Sequence, residues 1–360
     1  MRLARSVGRR GQLAWAGWLC ALSLALAACA PGGASSVRGQ AAPAPVPLIC
    51  ADTGCAARGV RVYVEPDAGE APITQAIAGA TRSIWVEVYL MSDRTVIRAL
   101  EDAAARGVDV RVLLELHPFG DGQVSAQRIL EELSAAGARA RASSPAFTFT
   151  HEKALVVDGA TAYILTSNLS RAGLGGSGTT ANREYGVIDT DAGDVADVRE
   201  LFLADWERRA PVLRQARLVV SPVNARPELA ALMDGAARGL RLEDEEMFDT
   251  RSEDRLIAAA RRGVDVRVVL PAPSAGAPDS GAGVARLVRG GVRVRYLTAP
   301  YMHAKLLLTD DRLAFVGSEN FSATSLESNR ELGIVLADPA GLGTLSGTFE
   351  QDWALAADAA

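Results

Sequence analysis

The sequence predicts an α/β protein built from two homologous domains, each a largely parallel or mixed sheet with helices on both faces. Three observations predict it. Apolar segments of helical and strand period alternate along the chain. The chain then repeats itself: "RVYVEPDAG" from Arg61 matches "RLVVSPVNA" from Arg217, and the alignment at an offset of 156 runs without a gap for about fifty residues. Finally, "RGVDVRV" occurs word for word at 106–112 and 262–268. A period of about 150 residues makes each copy the size of a domain, not a solenoid unit.

The first copy opens with a short strand near 61–64 and a helix over "PITQAIAGA". The strand "SIWVEVYL" follows, then a helix "TVIRALEDAAARG" with apolar residues at helical spacing and a closing glycine. "VDVRVLLEL" is a continuous apolar run of strand length, "AQRILEELSAAG" a further helix, and two apolar strands meet at the turn "VDGA". The second copy repeats the order through "PELAALMDGAA", "VDVRVVLPA", "GVARLVRGG" and a turn at "TDDR". Pro66, Glu87, Met91 and Asp93 match Pro222, Glu243, Met247 and Asp249. The offset shortens to 152 where "HEKALVVD" faces "HAKLLLTD", and to 147 where "NREYGVI" faces "NRELGIV" and Asp205-Trp206 faces Asp352-Trp353. These changes fall in loops such as the Gly-rich 172–181, which gives domains over 59–210 and 211–360 joined near 207–216.

The first 28 residues read differently. Arg2, Arg5, Arg9 and Arg10 precede an apolar run from Leu13 to Ala28, too short to span a membrane but suited to a signal peptide. The run ends in "LAAC", which resembles the lipobox of bacterial lipoproteins. That resemblance implies acylation of Cys29, cleavage before it, and a chain tethered by lipid on the periplasmic or extracellular side of the envelope, the outer membrane where one exists. An ordinary signal peptide cut at "ALA" or "ACA" is the alternative. Residues 29–58, rich in Ala, Pro, Gly and Ser, are expected to form a flexible tether, with Cys50 and Cys55 closing a small disulfide loop in an oxidising compartment. Loss of the four leader arginines moves the formal charge from −5 to −9. An acidic body is a poor general binder of nucleic acid, whose phosphates need clustered cations.

The chain has 38 basic residues, yet only Lys153 and Lys305 are lysine, and each follows a histidine, His151 or His303, by two positions. Side chains two apart on a strand share a face, so each pair is expected to project together. A single pair of this kind would read as the polar edge of a half-buried strand. The two pairs, however, occupy equivalent places in the repeat, as do four of the five asparagines, Asn168 with Asn320 and Asn182 with Asn329. Lysine is a compact point charge where arginine is a planar fork, so a site that keeps lysine asks for that shape. Two ammonium groups and two amides brought together form a donor pocket for a phosphoryl group without a metal. Two histidines there supply a nucleophile and a proton donor.

These residues resemble the phospholipase D superfamily, whose doubled signature is His-x-Lys, four residues, Asp, then six residues to Gly-Ser-x-Asn. The second copy matches in full through His303, Lys305, Asp310, Gly317, Ser318 and Asn320. The first has His151, Lys153, Asp158, Thr166 and Asn168, with Leu165 in place of the glycine. The resemblance spans about residues 60–355 and implies two α/β/α domains about a pseudo-two-fold axis, with the histidines in one active site and no cofactor or metal. It further implies a phosphohistidine on His151, proton transfer by His303, phosphate contacts from Lys153, Lys305, Asn168, Asn320, Ser318 and Thr166, and orientation of the histidines by Glu184 and Glu331. Asp158 and Asp310 belong to the catalytic signature, but they sit in turn sequences, where Asp is a common turn former. Glu87 and Glu243 are expected either to line the site or to punctuate strands. His117 is expected in a loop, and Trp206 and Trp353 as core anchors.

The function expected first is a metal-independent phosphodiesterase of phospholipase D type, hydrolysing or transphosphatidylating phospholipids as a monomer without stable nucleic-acid binding. The alternatives are an exported endonuclease of the same superfamily, a phosphatidyltransferase resembling cardiolipin synthase, and a catalytically silent envelope binding module.

Overall fold

A computed structural model describes residues 49–119, 125–176, 181–273 and 280–359. The leader over 1–28, Cys29 and most of the expected tether lie outside the described residues. In the first half, β1 (Arg61–Glu65), α1 (Ala71–Gly79), β2 (Ser83–Val88), α2 (Arg94–Ala105), β3 (Asp109–Leu114), α3 (Ala126–Ala135) and β4 (Arg139–Ala142) come first. The hairpin β5 (Lys153–Val157) and β6 (Thr161–Leu165), then β7 (Asn182–Asp189) and α4 (Ala192–Glu207), complete it. The second half contains β8 (Leu218–Ser221), α5 (Ala225–Asp234), β9 (Gly239–Glu243), α6 (Thr250–Arg261), β10 (Asp265–Pro271), α7 (Gly281–Arg289) and β11 (Arg293–Leu297). It continues with β12 (Tyr301–Met302), β13 (Leu306–Thr309), β14 (Leu313–Gly317), α8 (Ala323–Glu327), β15 (Glu331–Leu336), α9 (Pro339–Leu355) and β16 (Ala357–Asp358).

Local chemistry explains the repeated elements. Asp93 caps α2 by accepting from the Thr95 and Val96 amides, and the matched Asp249 caps α6 through Ser252. Val96, Ile97, Leu100 and Ala103 form the buried stripe of α2, and Gly107 ends its turn at φ 87°, a conformation few other residues adopt easily. The first sheet has the order β1-β7-β6-β5-β2-β3-β4, and the second repeats it as β8-β15-β14-β13-β9-β10-β11 with β16 added at the edge. Strands β2, β3 and β4, like β9, β10 and β11, run parallel, while β5–β7 and β13–β15 pair antiparallel. The sheets are therefore mixed, as the sequence predicts.

Each half has an outer apolar cluster, and a third cluster between the sheets draws on both. Ala154, Val156, Tyr185 and Val187 meet Leu306, Leu308, Leu332 and Ile334 there. Backbone also crosses between halves. Strand β12 pairs with β7, placing Tyr301 opposite Asn182 and Met302 opposite Arg183, while the His151 and Glu152 amides both donate to the Arg330 carbonyl. Two buried ion pairs cross with them. Arg183 binds Asp352 at 2.6 and 2.9 Å, and Arg330 binds Asp205 at 2.7 and 3.0 Å. Such reciprocal contacts between matched residues are what a pseudo-two-fold axis requires.

Three local expectations are corrected. The tether does not extend to residue 58: Cys50 is fully buried in the second half's cluster, its amide donates to Glu228 at 2.8 Å, and Ala57 exchanges backbone hydrogen bonds with Val335 and Ala337. Cys50 and Cys55 are joined as a disulfide within this docked segment, with Cα atoms 5.6 Å apart. His151 precedes β5 instead of lying in it, because the Arg330 carbonyl of the other half claims its amide. Asp158 and Asp310 are placed in the β5–β6 and β13–β14 turns, at φ 54° and 56°. Asp158 accepts from the amides of Thr81, Arg82 and Ser83, and Asp310 from those of Ala237, Arg238 and Gly239. Each carboxylate is thus consumed in tying a turn to the start of a neighbouring strand. Against burial, those amides hold Asp158 down at about 2.

Since that value lies below the ordinary aspartate value, the stabilisation from Asp158 is complete at neutral pH and lost as pH falls through about 2. Asp158→Asn therefore lowers stability in denaturant unfolding by about 1–2 kcal/mol at pH 7, with a smaller difference in acid. Arg330→Met leaves Asp205 buried without its partner and costs about 3 kcal/mol, more than a surface arginine such as Arg251.

Candidate active site

The two His-x-Lys segments meet between the halves, and each histidine is held by a carboxylate from the opposite half. His151 Nδ1 lies 2.8 Å from Glu331 Oε2, and His303 Nδ1 lies 2.7 Å from Glu184 Oε1. A carboxylate only accepts, so Nδ1 carries the proton in both rings and Nε2 is the nitrogen turned to chemistry. Each glutamate is itself fixed. Glu184 accepts from Thr166 Oγ1 at 2.6 Å and Asn182 Nδ2 at 3.1 Å, and Glu331 from Ser318 Oγ at 2.7 Å, Ser325 Oγ at 2.7 Å and Asn329 Nδ2 at 3.0 Å. Burial alone would raise both acids, but the paired histidine, the adjacent lysine and the hydroxyl hold them below the ordinary value. Both therefore remain anions.

The lysines are fully buried, and each Nζ donates to the main-chain oxygen of its own histidine at 2.5 Å. Their surroundings differ. Burial pushes Lys153 down to about 7, whereas Glu245, Glu184 and Asp244 outweigh burial and raise Lys305. The histidines differ likewise. Tyr89 stands edge-on to His151 with ring centres 4.6 Å apart, and burial lowers His151 to about 4, a neutral ring near pH 7. At the position matched to Tyr89 the second half has Glu245, whose Oε2 lies 3.3 Å from His303 Nε2 and 3.5 Å from Lys305 Nζ. Tyr301 donates to its other oxygen at 3.2 Å. Burial raises Glu245, but His303 and Lys305 outweigh it and hold the acid at about 2.

The structure thus brings together His151, Lys153, His303, Lys305, Glu184 and Glu331. Thr166 and Ser318 are corrected from phosphate contacts to supports of the glutamates: both are fully buried, each hydroxyl donates to a carboxylate, and each accepts a β7 or β15 amide. Asn168 and Asn320 follow β6 and β14, and the Oδ1 of each is buried without a hydrogen-bond partner among the described residues. Leu165 does not intrude on the site, since its side chain joins the first half's outer cluster. In the second half, a side chain at Gly317 would collide with Glu319 and Gly333.

Glu87 and Glu243 are buried near the acids of the crossing ion pairs, Asp205 and Asp352. Glu243 accepts from Tyr185 Oη at 2.6 Å, and Glu87, Glu152 and Asp205 place carboxyl oxygens within 4.8 Å of one another. Burial and mutual repulsion raise Glu87 and Glu152 well above the ordinary value. His117 lies in the exposed loop after β3, where Glu115 accepts its amide. Trp206 and Trp353 are half-buried beneath arginines, with Arg141 3.9 Å above one and Arg295 4.5 Å above the other. Sequence reasoning missed Glu245 and Tyr89, although the ungapped alignment matches them and "EDEE" marks the place. It also passed over Arg183 and Arg330 inside the matched "NRE" segments.

The family described as "Cardiolipin synthase, PLD-like domain" matches residues 73–206 and 229–353. Cardiolipin synthase A of Pseudomonas fluorescens is 25% identical over 340 residues, covering 82% of this chain and 69% of its own length. Cardiolipin synthase B of Salmonella typhi is 28% identical over 310 residues, covering 74% of this chain and 73% of its own. In fold, the chain is similar to phosphatidylserine synthase of Haemophilus influenzae, with TM-score 0.60 and 14% identity over 83% of this chain and 87% of that one. It also resembles polyphosphate kinase of Porphyromonas gingivalis, with TM-score 0.64 and 18% identity over 82% of this chain and half of that one, 50%. With one match in each half around crossed histidine–glutamate pairs, the chain belongs to the phospholipase D-like family described by the cardiolipin synthase PLD-like domain.

Proposed function

We propose that this protein is a phosphatidyltransferase of cardiolipin synthase type, moving a phosphatidyl group to an alcohol through a phosphohistidine. The observation that carries the proposal is the pair of crossed His–Glu contacts with a buried lysine beside each histidine. The sequence reading leaves hydrolysis and transphosphatidylation both open, with a cardiolipin synthase-like transferase as an alternative. The cardiolipin synthase relatives support transfer, with water as the lesser acceptor.

In this mechanism His151 Nε2 attacks phosphorus, the bond from phosphorus to the leaving oxygen breaks, and His303 Nε2 gives that oxygen its proton. The acceptor alcohol then gives its proton to His303 and bonds phosphorus as the P–N bond breaks. Lys153 and Lys305 neutralise the phosphoryl oxygens, with the Asn168 and Asn320 amides as further donors. Asymmetry supports the assignment. His151 is neutral and faces a ring, whereas His303 has a carboxylate near each nitrogen. The lipid anchor on Cys29, an envelope location and a monomeric state belong to the same proposal and rest on sequence alone. Among the described residues no helix is long and apolar enough to cross a membrane.

Incubation with phosphatidylglycerol vesicles tests the proposal directly: transfer products should exceed phosphatidic acid. Phosphatidic acid alone would make the protein a hydrolase, and cleavage of plasmid DNA in chelator with lipid spared would make it a nuclease. With a p-nitrophenyl phosphodiester, whose leaving group needs no acid, His303→Ala should still trap a phosphohistidine and His151→Ala should not. The reverse pattern would exchange the two roles. Glu331→Gln should lower kcat roughly 10²–10⁴-fold, because the His151 ring loses its fixed tautomer. The free enzyme's kcat/KM should fall below about pH 4 as His151 protonates and above about pH 7 as Lys153 loses its charge. In Lys153→Arg, whose planar fork should lower kcat, the alkaline limb of the residual activity should move well above that pH.

A further inference from the structure

The crossed pairs make the two half-sites nearly equivalent, but Glu245 breaks the equivalence at the group that handles the alcohol proton. Its Oε2 sits 3.3 Å from His303 Nε2 and 3.5 Å from Lys305 Nζ, contacts that a phosphoryl or alcohol oxygen must take over. The matched place beside His151 is filled by the ring of Tyr89, which offers no anion. Substrate entry therefore displaces Oε2 from the His303 ring and the Lys305 ammonium and leaves an ionised, 17% exposed carboxylate beside a phosphate. Two anions side by side repel, and the remaining contact from Tyr301 at 3.2 Å does not cancel a charge. The arrangement becomes favourable when the alcohol on the His303 side brings a second hydrogen-bond donor to the carboxylate.

We propose that Glu245 is the acceptor-specificity residue, selecting alcohols that carry a further hydroxyl or ammonium group close to the reacting hydroxyl. This rests on the phosphatidyltransfer reading above. In the transfer step the acceptor oxygen bonds phosphorus, the P–N bond to His151 breaks and the acceptor proton goes to His303 Nε2. Throughout, Glu245 accepts from the second donor and exchanges no proton. The recognised chemistry is a hydrogen-bond donor near an alcohol, whether that donor is neutral or cationic.

The test is competition within one reaction. The full chain acts on phosphatidylglycerol vesicles with equal concentrations of deuterated glycerol, ethanolamine and 1-propanol, and the three transfer products, deuterated phosphatidylglycerol among them, are compared by mass. Because all three acceptors divide one intermediate, the ratios do not depend on how fast it forms. The wild type should favour glycerol, ethanolamine or both over 1-propanol by about tenfold or more. Glycerol alone identifies a hydroxyl as the donor, and ethanolamine alone an ammonium. In Glu245→Gln, and in Glu245→Tyr with the residue native to position 89, the ratios should fall toward one. Unchanged ratios in both variants, or no preference in the wild type, would overturn the inference while a trapped phosphohistidine left the parent reading standing. Absence of both adduct and turnover in the wild type would overturn the two together.

Discussion

Each half of this protein neutralises the buried charges of the other. Glu184 and Arg183 leave β7 to meet His303 and Asp352, while Glu331 at the start of β15 and Arg330 just before it meet His151 and Asp205. A buried carboxylate without a partner is expensive, and these partners lie in the opposite half. The two sheets are therefore obliged to dock face to face. The same docking closes the central apolar cluster and sets each histidine against a carboxylate of the opposite half. Position and stability arise from the same side chains, so the residues that orient the histidines also hold the halves together.

Having both half-sites in one chain lets them diverge, and the divergences are physically compensated. Where the first half places Glu152 beside Glu87 and Asp205, the second has Ala304, and the Tyr185 hydroxyl meets Glu243 instead. Leu165 fills the outer core of the first half, while Gly317 makes room for Glu319 in the second. Within the site, Tyr89 and Glu245 give the two histidines an aromatic and an anionic neighbour. A site built from two identical chains would have to place the same residue at both positions. Separate environments for the two histidines follow from the duplication.

The sequence by itself determined the repeat, most of the helices and strands in each copy, and His151, His303, the two lysines, the paired asparagines, Glu184 and Glu331. These are legible because apolar period, capping aspartates and repeated rare residues are properties of the one-dimensional chain. The turn chemistry of Asp158 and Asp310 could be anticipated for the same reason: a short loop constrains its own residues. Tertiary structure alone decided that the glutamates cross to the opposite histidine, that Thr166 and Ser318 serve those glutamates, and that residues 50–57 dock on the second half. It also decided that Glu245 stands against His303 Nε2. Pairings such as Glu245 with Lys305, 60 positions apart, and His151 with Glu331, 180 apart, depend on which sheet faces meet. That meeting is settled by burial of the central cluster and by charge neutralisation across it, which no local spacing encodes.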